Sequence, residues 1–351
     1  GDLPLHIHTS SRREECEKIA STVAAEHAEG RPLRDMAILY RSSFISSELE
    51  RALVREKIPY TVWGGVKFLE RKEIKDIHSY LRVIDSGDDM SLERIINVPS
   101  RKFGRVSLEK LRQLAEEEGT SLYRTLTAHA SEKPFNTAAI RNFISLIEEC
   151  RLRKELESVS DLADFVLTRS GYTDMLRTDE QEERLENLAE LINMMKGYEH
   201  DHPAEEVSSL TQYLQDMTVY MLDAEEKHDG DCVRLMTIHQ SKGLEFPVVL
   251  IAGLTEGTFP SHRTIRERRQ QGEEEERRLM YVAVTRAKDR LYMLESEGFL
   301  NDGATLKFPS RFLYEIPEGK VRREGINSDS LRSGMLAMVE GLNRDVYGIE
   351  G

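Results

Sequence analysis

The sequence predicts an α/β protein built on a parallel sheet and interrupted by an all-helical insert. Three observations predict it. Over residues 1–85, short apolar β-prone runs alternate with helical stretches, the pattern that packs helices onto a parallel sheet. From about Ser86 to Asp231 no convincing strand pattern occurs, and helical periods follow one another. After Asp231 the β-type runs return. The expected division is 1–85 and 232–316 as the two parts of one α/β domain, 86–231 as the helical insert, and 317–351 as a polar tail with no assigned pattern.

Each element has a local reason. Leu5–Thr9 reads as a strand, and Ser10 or Ser11 stands where it would cap a helix over Arg12–Glu29 that Gly30 stops. Asp35–Tyr40 is an apolar run suited to a buried strand. Ser46–Lys57 carries Leu49, Leu53 and Val54 on one helical face. Pro59 ends that helix, Tyr60–Trp63 is β-prone, and Gly64-Gly65 turns the chain. Ile74, Ile77, Leu81 and Ile84 predict a helix over Glu70–Ile84. In the insert, helices are expected over Leu108–Glu118 with Ser107 as N-cap, Ser121–Ala128, Thr137–Arg153, Val159–Arg169, Gln181–Tyr198 and Val207–Leu222. The polar stretches Ser86–Asp89 and Asp223–Asp231 mark its entry and exit. Cys232–Ile238, Val248–Ala252 and Arg290–Leu294 are the remaining strand candidates, with a helix over Glu273–Lys288.

Composition narrows the function classes. The chain has 351 residues, 39% hydrophobic and 32% charged, a globular profile with room for more than one core. Its formal charge of −14 excludes bulk attraction to nucleic acid or to an anionic membrane, so any such binding depends on local basic patches. Three widely separated cysteines exclude a disulfide framework and a CxxC zinc site, and fit a reducing cytoplasm. No metal site is expected. No apolar run approaches the ~18 residues of a membrane span, and no membrane partner is expected.

Three segments carry candidate chemistry. Thr237–Phe246 lies between two expected buried strands and holds His239, Lys242, Gly243 and Glu245. Its Ser-Lys-Gly core can offer backbone N–H groups and a cation to a phosphate, and Glu245 can accept from a sugar hydroxyl. The same residues also suit a solvated loop with a capping serine. In Glu276–Lys288, Arg278, Val282 and Arg286 share one helical face. A guanidinium there suits either a phosphoryl group or a structural carboxylate. Arg41 follows the Asp35–Tyr40 run, at the edge of a parallel sheet where ligands bind, and also fits an ordinary surface arginine. Arg263, Arg266, Arg268 and Arg269, followed by Glu273–Glu276, read as charge blocks that solvate a mobile loop.

Together these segments resemble the C-terminal half, domains 2A and 2B, of UvrD/PcrA/Rep-type superfamily 1 DNA helicases. Tyr40-Arg41-Ser42 is similar to the family's motif IV, and Ile58–Arg82 to the stretch after it. His239–Phe246 resembles motif V, with Glu256–Pro260 as its extension, and Tyr281–Lys288 resembles motif VI. Pro309–Leu313 fits the family's end pattern, and the likeness covers roughly Pro4 to Ile316. It implies a RecA-like, P-loop NTPase-like domain 2A with 2B as the helical insert. It further implies that Arg41 and Arg286 act as arginine fingers on the ATP γ-phosphate, that Glu245 holds the ribose, that Lys242 and Gly243 line the cleft, and that His239 touches single-stranded DNA. Ile95–Gly104 resembles a turn that meets duplex DNA, with Arg101, Lys102 and Gly104 as contacts. Many members carry two glycines there; Lys102 replaces the first.

No GxxxxGK[ST] loop and no acidic Mg²⁺-ligand pair after a strand occurs in the sequence. The resemblance therefore implies a motor half that uses ATP and Mg²⁺ only with an N-terminal half, domains 1A and 1B, and that binds neither and is inactive by itself. Its implied partners are single-stranded and duplex DNA and repair or replication proteins. The implied activity is 3′→5′ translocation and unwinding. The alternative is a stand-alone DNA- or partner-binding module without ATP chemistry.

Overall fold

Every β-type run outside the insert becomes a strand of one sheet. The computed structural model describes residues 2–202, 210–224, 230–299, 306–317, 319–325 and 328–347. Contacts divide the chain into two units, Gly1–Phe68 with Glu226–Gly351, and Leu69–Glu225.

The first unit opens with β1 (Leu5–Thr9), α1 (Arg12–Ala28), β2 (Met36–Tyr40), α2 (Ser46–Arg55) and β3 (Tyr60–Val62). Ser11 caps α1, accepting from the Glu14 N–H. The second unit holds nine helices among the described residues: α3 (Lys72–Ser86), α4 (Asp89–Ile95), α5 (Arg105–Glu118), α6 (Leu122–Ala128), α7 (Ala138–Arg153), α8 (Val159–Arg169), α9 (Tyr172–Thr178), α10 (Glu182–Asp201) and α11 (Leu210–Ala224). The chain then returns to the first unit with β4 (Val233–Thr237), β5 (Phe246–Ala252), α12 (His262–Val284), β6 (Ala287–Ser296), α13 (Arg311–Tyr314), β7 (Arg322–Glu324) and α14 (Ser328–Tyr347).

The sheet has seven strands in the order β3-β4-β2-β5-β6-β1-β7, and all its pairings are parallel. Strands covered on both faces should be apolar throughout, and β2, Met-Ala-Ile-Leu-Tyr, is buried at every position. One face packs Ile19, Ile38, Leu49 and Leu250 against α1 and α2. The other packs Leu39, Val249, Ile251, Leu279 and Ala283 against α12. Among the described residues no helix is long and apolar enough to cross a membrane.

Several sequence expectations change. The insert was expected to begin at Ser86, but the helical unit begins at Leu69. The reason is α3, whose Ile77, Tyr80, Leu81 and Ile84 are fully buried. Its polar groups also bond within that unit: Asp76 accepts from Tyr172 at 2.8 Å, and Glu73 from Asn187 at 2.7 Å. α3 is thus the core helix of the second unit. Ser107 is no N-cap, because α5 starts earlier, with Gly104 in the cap position. The entry stretch Ser86–Asp89 is itself a helix start, since Asp88 caps α4 through the Ser91 N–H at 2.8 Å. The basic run after Arg263 is the first limb of α12 and no loop. The stretch from Gly319 contains β7 and α14. The expected helix start at Val207 and much of the expected exit over 223–231 lie outside the described residues.

A buried ion network ties the segment after residue 308 to the loop that follows β5. Glu256, with no exposed side-chain surface, accepts from Arg311 Nη2 at 2.9 Å and Nε at 3.1 Å, from the Arg311 N–H at 2.7 Å, and from His262 Nε2 at 3.1 Å. Burial opposes its charge, but the hydrogen bonds from His262 and Arg311 outweigh it and hold its carboxyl below the ordinary range. Arg311→Ala strands this carboxylate, so the variant should lose about 3 kcal/mol of stability in urea denaturation. Because the folded-state pKa is depressed, the network's contribution is complete above the unfolded carboxyl value. It fades as pH falls through the depressed one. An Arg311→Ala penalty of the same size at pH 7 and well below the depressed value would count against this account.

Candidate functional site

The parallel register decides which candidate residues can meet. Tyr40 of β2 pairs with Thr237 of β4 and with Ala252 of β5. Arg41 and the loop starting at Ile238 therefore leave neighbouring strands at the same, C-terminal, sheet edge. Phe246, at the other end of β5, pairs with Ala287 of β6, and its N–H bonds the Arg286 carbonyl at 2.8 Å. Arg286 thus lies at the N-terminal end of β5. The seven-residue β5 separates the two arginines by about 20 Å along the strand. The loop 238–245 descends from one end to the other. The structure brings Arg41 together with His239, and Arg286 together with Leu244, but it does not bring the two arginines together.

At the C-terminal edge, Arg41 is half-buried and held by Glu276 of α12. Its Nη2 donates to Glu276 Oε1 at 2.8 Å, and its Nε to Oε1 and Oε2 at 3.0 and 3.2 Å. His239 is exposed beside it. Its pKa is lowered, first by partial burial and then by the Arg41 and Lys242 cations. At neutral pH it therefore presents a neutral ring, suited to a base or sugar more than to a phosphate. The loop is shaped by local turns. Gln240 Oε1 accepts from the Thr237 N–H at 2.9 Å, and buried Ser241 donates to the Ile238 carbonyl at 2.8 Å. Ser241 is thereby spent internally. Lys242, Gly243 and Glu245 stay exposed. Gly243 has φ +85 with open space around it, a conformation that a side chain would strain.

At the other end, Arg286 closes α12. Its Nε donates to the Val282 carbonyl at 3.0 Å and its Nη1 to the Leu244 carbonyl at 2.7 Å. Both acceptors are neutral, so a competing anion would displace them without stranding a buried charge. Glu245 stands nearby at 3.6 Å from Lys288 Nζ. Both are more than half exposed, so the pair contributes little to stability.

In the helical unit the three expected DNA contacts separate. Arg101 turns inward. Its Nη1 donates to the carbonyls of Ile95, Ile96 and Pro99 at 3.0, 3.2 and 3.2 Å, and its Nη2 to the Tyr80 hydroxyl at 2.7 Å. Its guanidinium also stacks 4.7 Å from the Phe143 ring centroid. This arginine builds the turn, and its hydrogen bonds are already used within the unit. Lys102 and Gly104 are exposed. Lys102 has φ 57, so the lysine keeps the left-handed backbone that glycine adopts at less cost. Gly104 makes no side-chain cap for α5, which leaves the first N–H groups of that helix available to an anion.

Sequence reasoning missed a cavity of about 550 Å³ in this unit, lined by Lys75, His78, Arg82, Asp88, Arg94 and Thr218 among others. Arg94 is paired with Asp76 at 2.7 Å. His78 bonds the Tyr213 hydroxyl at 3.0 Å, and burial followed by the Arg82 charge lowers its pKa to about 4. The signal in the sequence was the spacing of Lys75 and Arg82, two turns apart on α3, but apolar periodicity masked it. Among the described residues no group of His, Cys, Asp or Glu side chains could hold a metal ion.

Comparison with known proteins adds an independent finding. A family model for the UvrD-like helicase C-terminal domain matches residues 1–298. The ATP-dependent DNA helicase PcrA of Staphylococcus epidermidis is 40% identical over 327 residues, which cover 91% of this chain and 44% of that protein. PcrA of Staphylococcus aureus gives the same identity and coverage. The chain thus spans less than half the length of the curated relatives it matches.

Lys102→Gly should stabilise the chain by about 1 kcal/mol, because a left-handed non-glycine residue is strained by about that much. Thermal unfolding would show the gain, and an unchanged midpoint would mean that the turn absorbs φ 57 without strain.

Proposed function

The chain belongs to the UvrD-like helicase C-terminal domain family, and from that premise we propose that it is the RecA-like motor half of an ATP-dependent DNA helicase. In this reading the first unit is domain 2A and the helical unit is domain 2B. The partner half, domains 1A and 1B, carries the phosphate-cradling loop and the Mg²⁺ ligands.

The observation that carries the reading is half-buried Arg286, held by neutral acceptors alone, on a sheet whose sequence has no phosphate loop of its own. Bound ATP would supply the phosphoryl charge and the energy of its hydrolysis. Arg286 would stabilise charge that develops on the terminal phosphate, and it does so only when the cleft closes on it. Arg41 would join it only by leaving Glu276 and crossing the about 20 Å that separate the two arginines along β5. Glu245 would accept from the ribose, and Lys242 and Gly243 would line the cleft. The donors at this end fit a polyphosphate in charge, since Arg286 and Lys242 are cations.

On the DNA side, neutral His239 at the strand edge would contact single-stranded DNA. In the helical unit, Lys102, the backbone at Gly104 and the start of α5 would meet duplex phosphates. Lys75 and Arg82 in the cavity beside α3 add cations to the same role. Arg101 is left out of this set because its donors are committed to the turn. Movement along the single strand in the 3′→5′ direction, and service in repair or replication, complete the proposal.

Two measurements bear on it. In the protein carrying both halves, Arg41→Ala and Arg286→Ala should each lower kcat on the order of 10³-fold with a smaller change in nucleotide affinity. A change confined to KM would reduce both residues to ground-state binders. The 351-residue chain alone should show no steady-state ATP turnover. Turnover above background that Arg286→Ala abolishes would overturn the division of labour.

A further inference from the structure

The cavity of the helical unit is walled by α3, α4 and α11, and its volume of about 550 Å³ is in the range of small-molecule sites. Lys75, His78 and Arg82 share one face of α3. Lys75 and Arg82 stand two turns apart, about 10 Å along the helix axis, and both side chains are long enough to converge on a group set between them. Among the described residues neither cation has an ion pair, and Arg82 Nη2 donates only to the Thr218 hydroxyl, at 3.4 Å. The other charges in the wall are already used. Asp88 accepts the Ser91 N–H at 2.8 Å, and Arg94 is paired with Asp76 at 2.7 Å. The wall therefore keeps an excess of positive charge.

Two neutral groups in the same wall also lack an acceptor. His78 is 6% exposed and Ser91 4%, and both line the cavity. His78 uses Nε2 on the Tyr213 hydroxyl at 3.0 Å. Burial, with the Arg82 charge second, lowers its pKa to about 4, so the ring is neutral. With the Tyr213 hydroxyl donating to Nε2, the ring proton sits on Nδ1. Nδ1 has no partner among the described residues, and the Ser91 hydroxyl makes no hydrogen bond among them either. Polar groups this buried are normally satisfied, and here they open onto a positively charged recess.

We propose that this cavity is a binding site for a phosphomonoester. Such a group carries close to two negative charges near pH 7 and three acceptor oxygens. Lys75 and Arg82 match the charge, and the His78 Nδ1–H and the Ser91 hydroxyl donate to the oxygens. A backbone phosphodiester fits less well. It carries one charge, and two ester bonds hold it in its strand, whereas His78 and Ser91 are reached only from inside the recess. The phosphomonoester can belong to a small molecule or to a phosphorylated DNA end. The inference stands on the helical unit alone and does not depend on the ATP chemistry proposed above.

The test is calorimetric titration of the 351-residue chain with inorganic phosphate at constant ionic strength, where saturable binding to one site is expected. Lys75→Gln and Arg82→Gln should each weaken it on the order of tenfold, because each removes a charged donor. Ser91→Ala should weaken it roughly threefold, the loss of one neutral hydrogen bond. Arg124→Gln, which removes an exposed charge from α6, should change nothing. Phosphate that does not saturate, or that Arg124→Gln weakens as much as Lys75→Gln does, is an adventitious ion only and rejects the site. Short duplexes then separate the two sources. A duplex with phosphorylated ends that displaces inorganic phosphate, while the same duplex with hydroxyl ends does not, identifies a DNA end. A phosphate that neither duplex displaces identifies a small molecule. Equal displacement by both duplexes means that the cations serve the DNA backbone; the duplex-contact reading then stands and this inference falls.

Discussion

The two-sided burial of the central strands is the constraint from which the rest of the first unit follows. β2 and β5 can be apolar throughout only if helices cover both faces. That requirement places α1 and α2 on one side and α12 on the other. With α12 running back across the sheet, Glu276 comes level with the C-terminal strand edge and Arg286 with the N-terminal one. The chemistry of the site is in this sense a by-product of packing. The same layer that excludes water from β5 delivers a carboxylate to one of its ends and a guanidinium to the other.

The arginines show how context divides identical side chains among different tasks. Arg311 locks the closing segment onto buried Glu256. Arg101 builds a turn from three carbonyls, a hydroxyl and an aromatic ring. Arg286 rests on carbonyls, and Arg41 on a carboxylate. A guanidinium whose donors are committed to backbone carbonyls and a hydroxyl within its own turn, as in Arg101, has few left for a ligand. One held at an open strand edge can exchange partners, and the cost of that exchange depends on what it leaves behind. Arg286 leaves neutral acceptors. Arg41 leaves a buried charge, so the two would answer an arriving phosphate differently.

The sequence was informative where a single physical rule dominates. The strand runs Leu5–Thr9 and Met36–Tyr40, the Ser11 cap and the α7 and α8 boundaries all follow from hydrophobic period and cap chemistry. Legibility failed where the deciding partner is remote in sequence. β7 is Arg-Arg-Glu, which no propensity marks as a strand; it is one because Leu5–Ile7 pair with it. α4 is a seven-residue helix, too short to show a period, that depends on the Asp88 cap. The first limb of α12 reads as a charged loop because its fold-back relies on Gly272 meeting Thr264 in space.

The candidate residues divide in the same way. Sequence alone determined that Arg41, His239–Glu245 and Arg286 belong to one sheet domain, and that the middle of the chain is helical, because local periodicity and residue chemistry need no distant information. Only the tertiary structure decided that Arg41 and Arg286 stand at opposite ends of β5, that Glu276 holds Arg41, that Arg101 points into its own turn, and that Lys75 and Arg82 line a cavity. Each of these depends on strand register or helix packing between segments far apart in the chain. Burial and distance set the interaction of two charges, and neither is a property of the linear sequence.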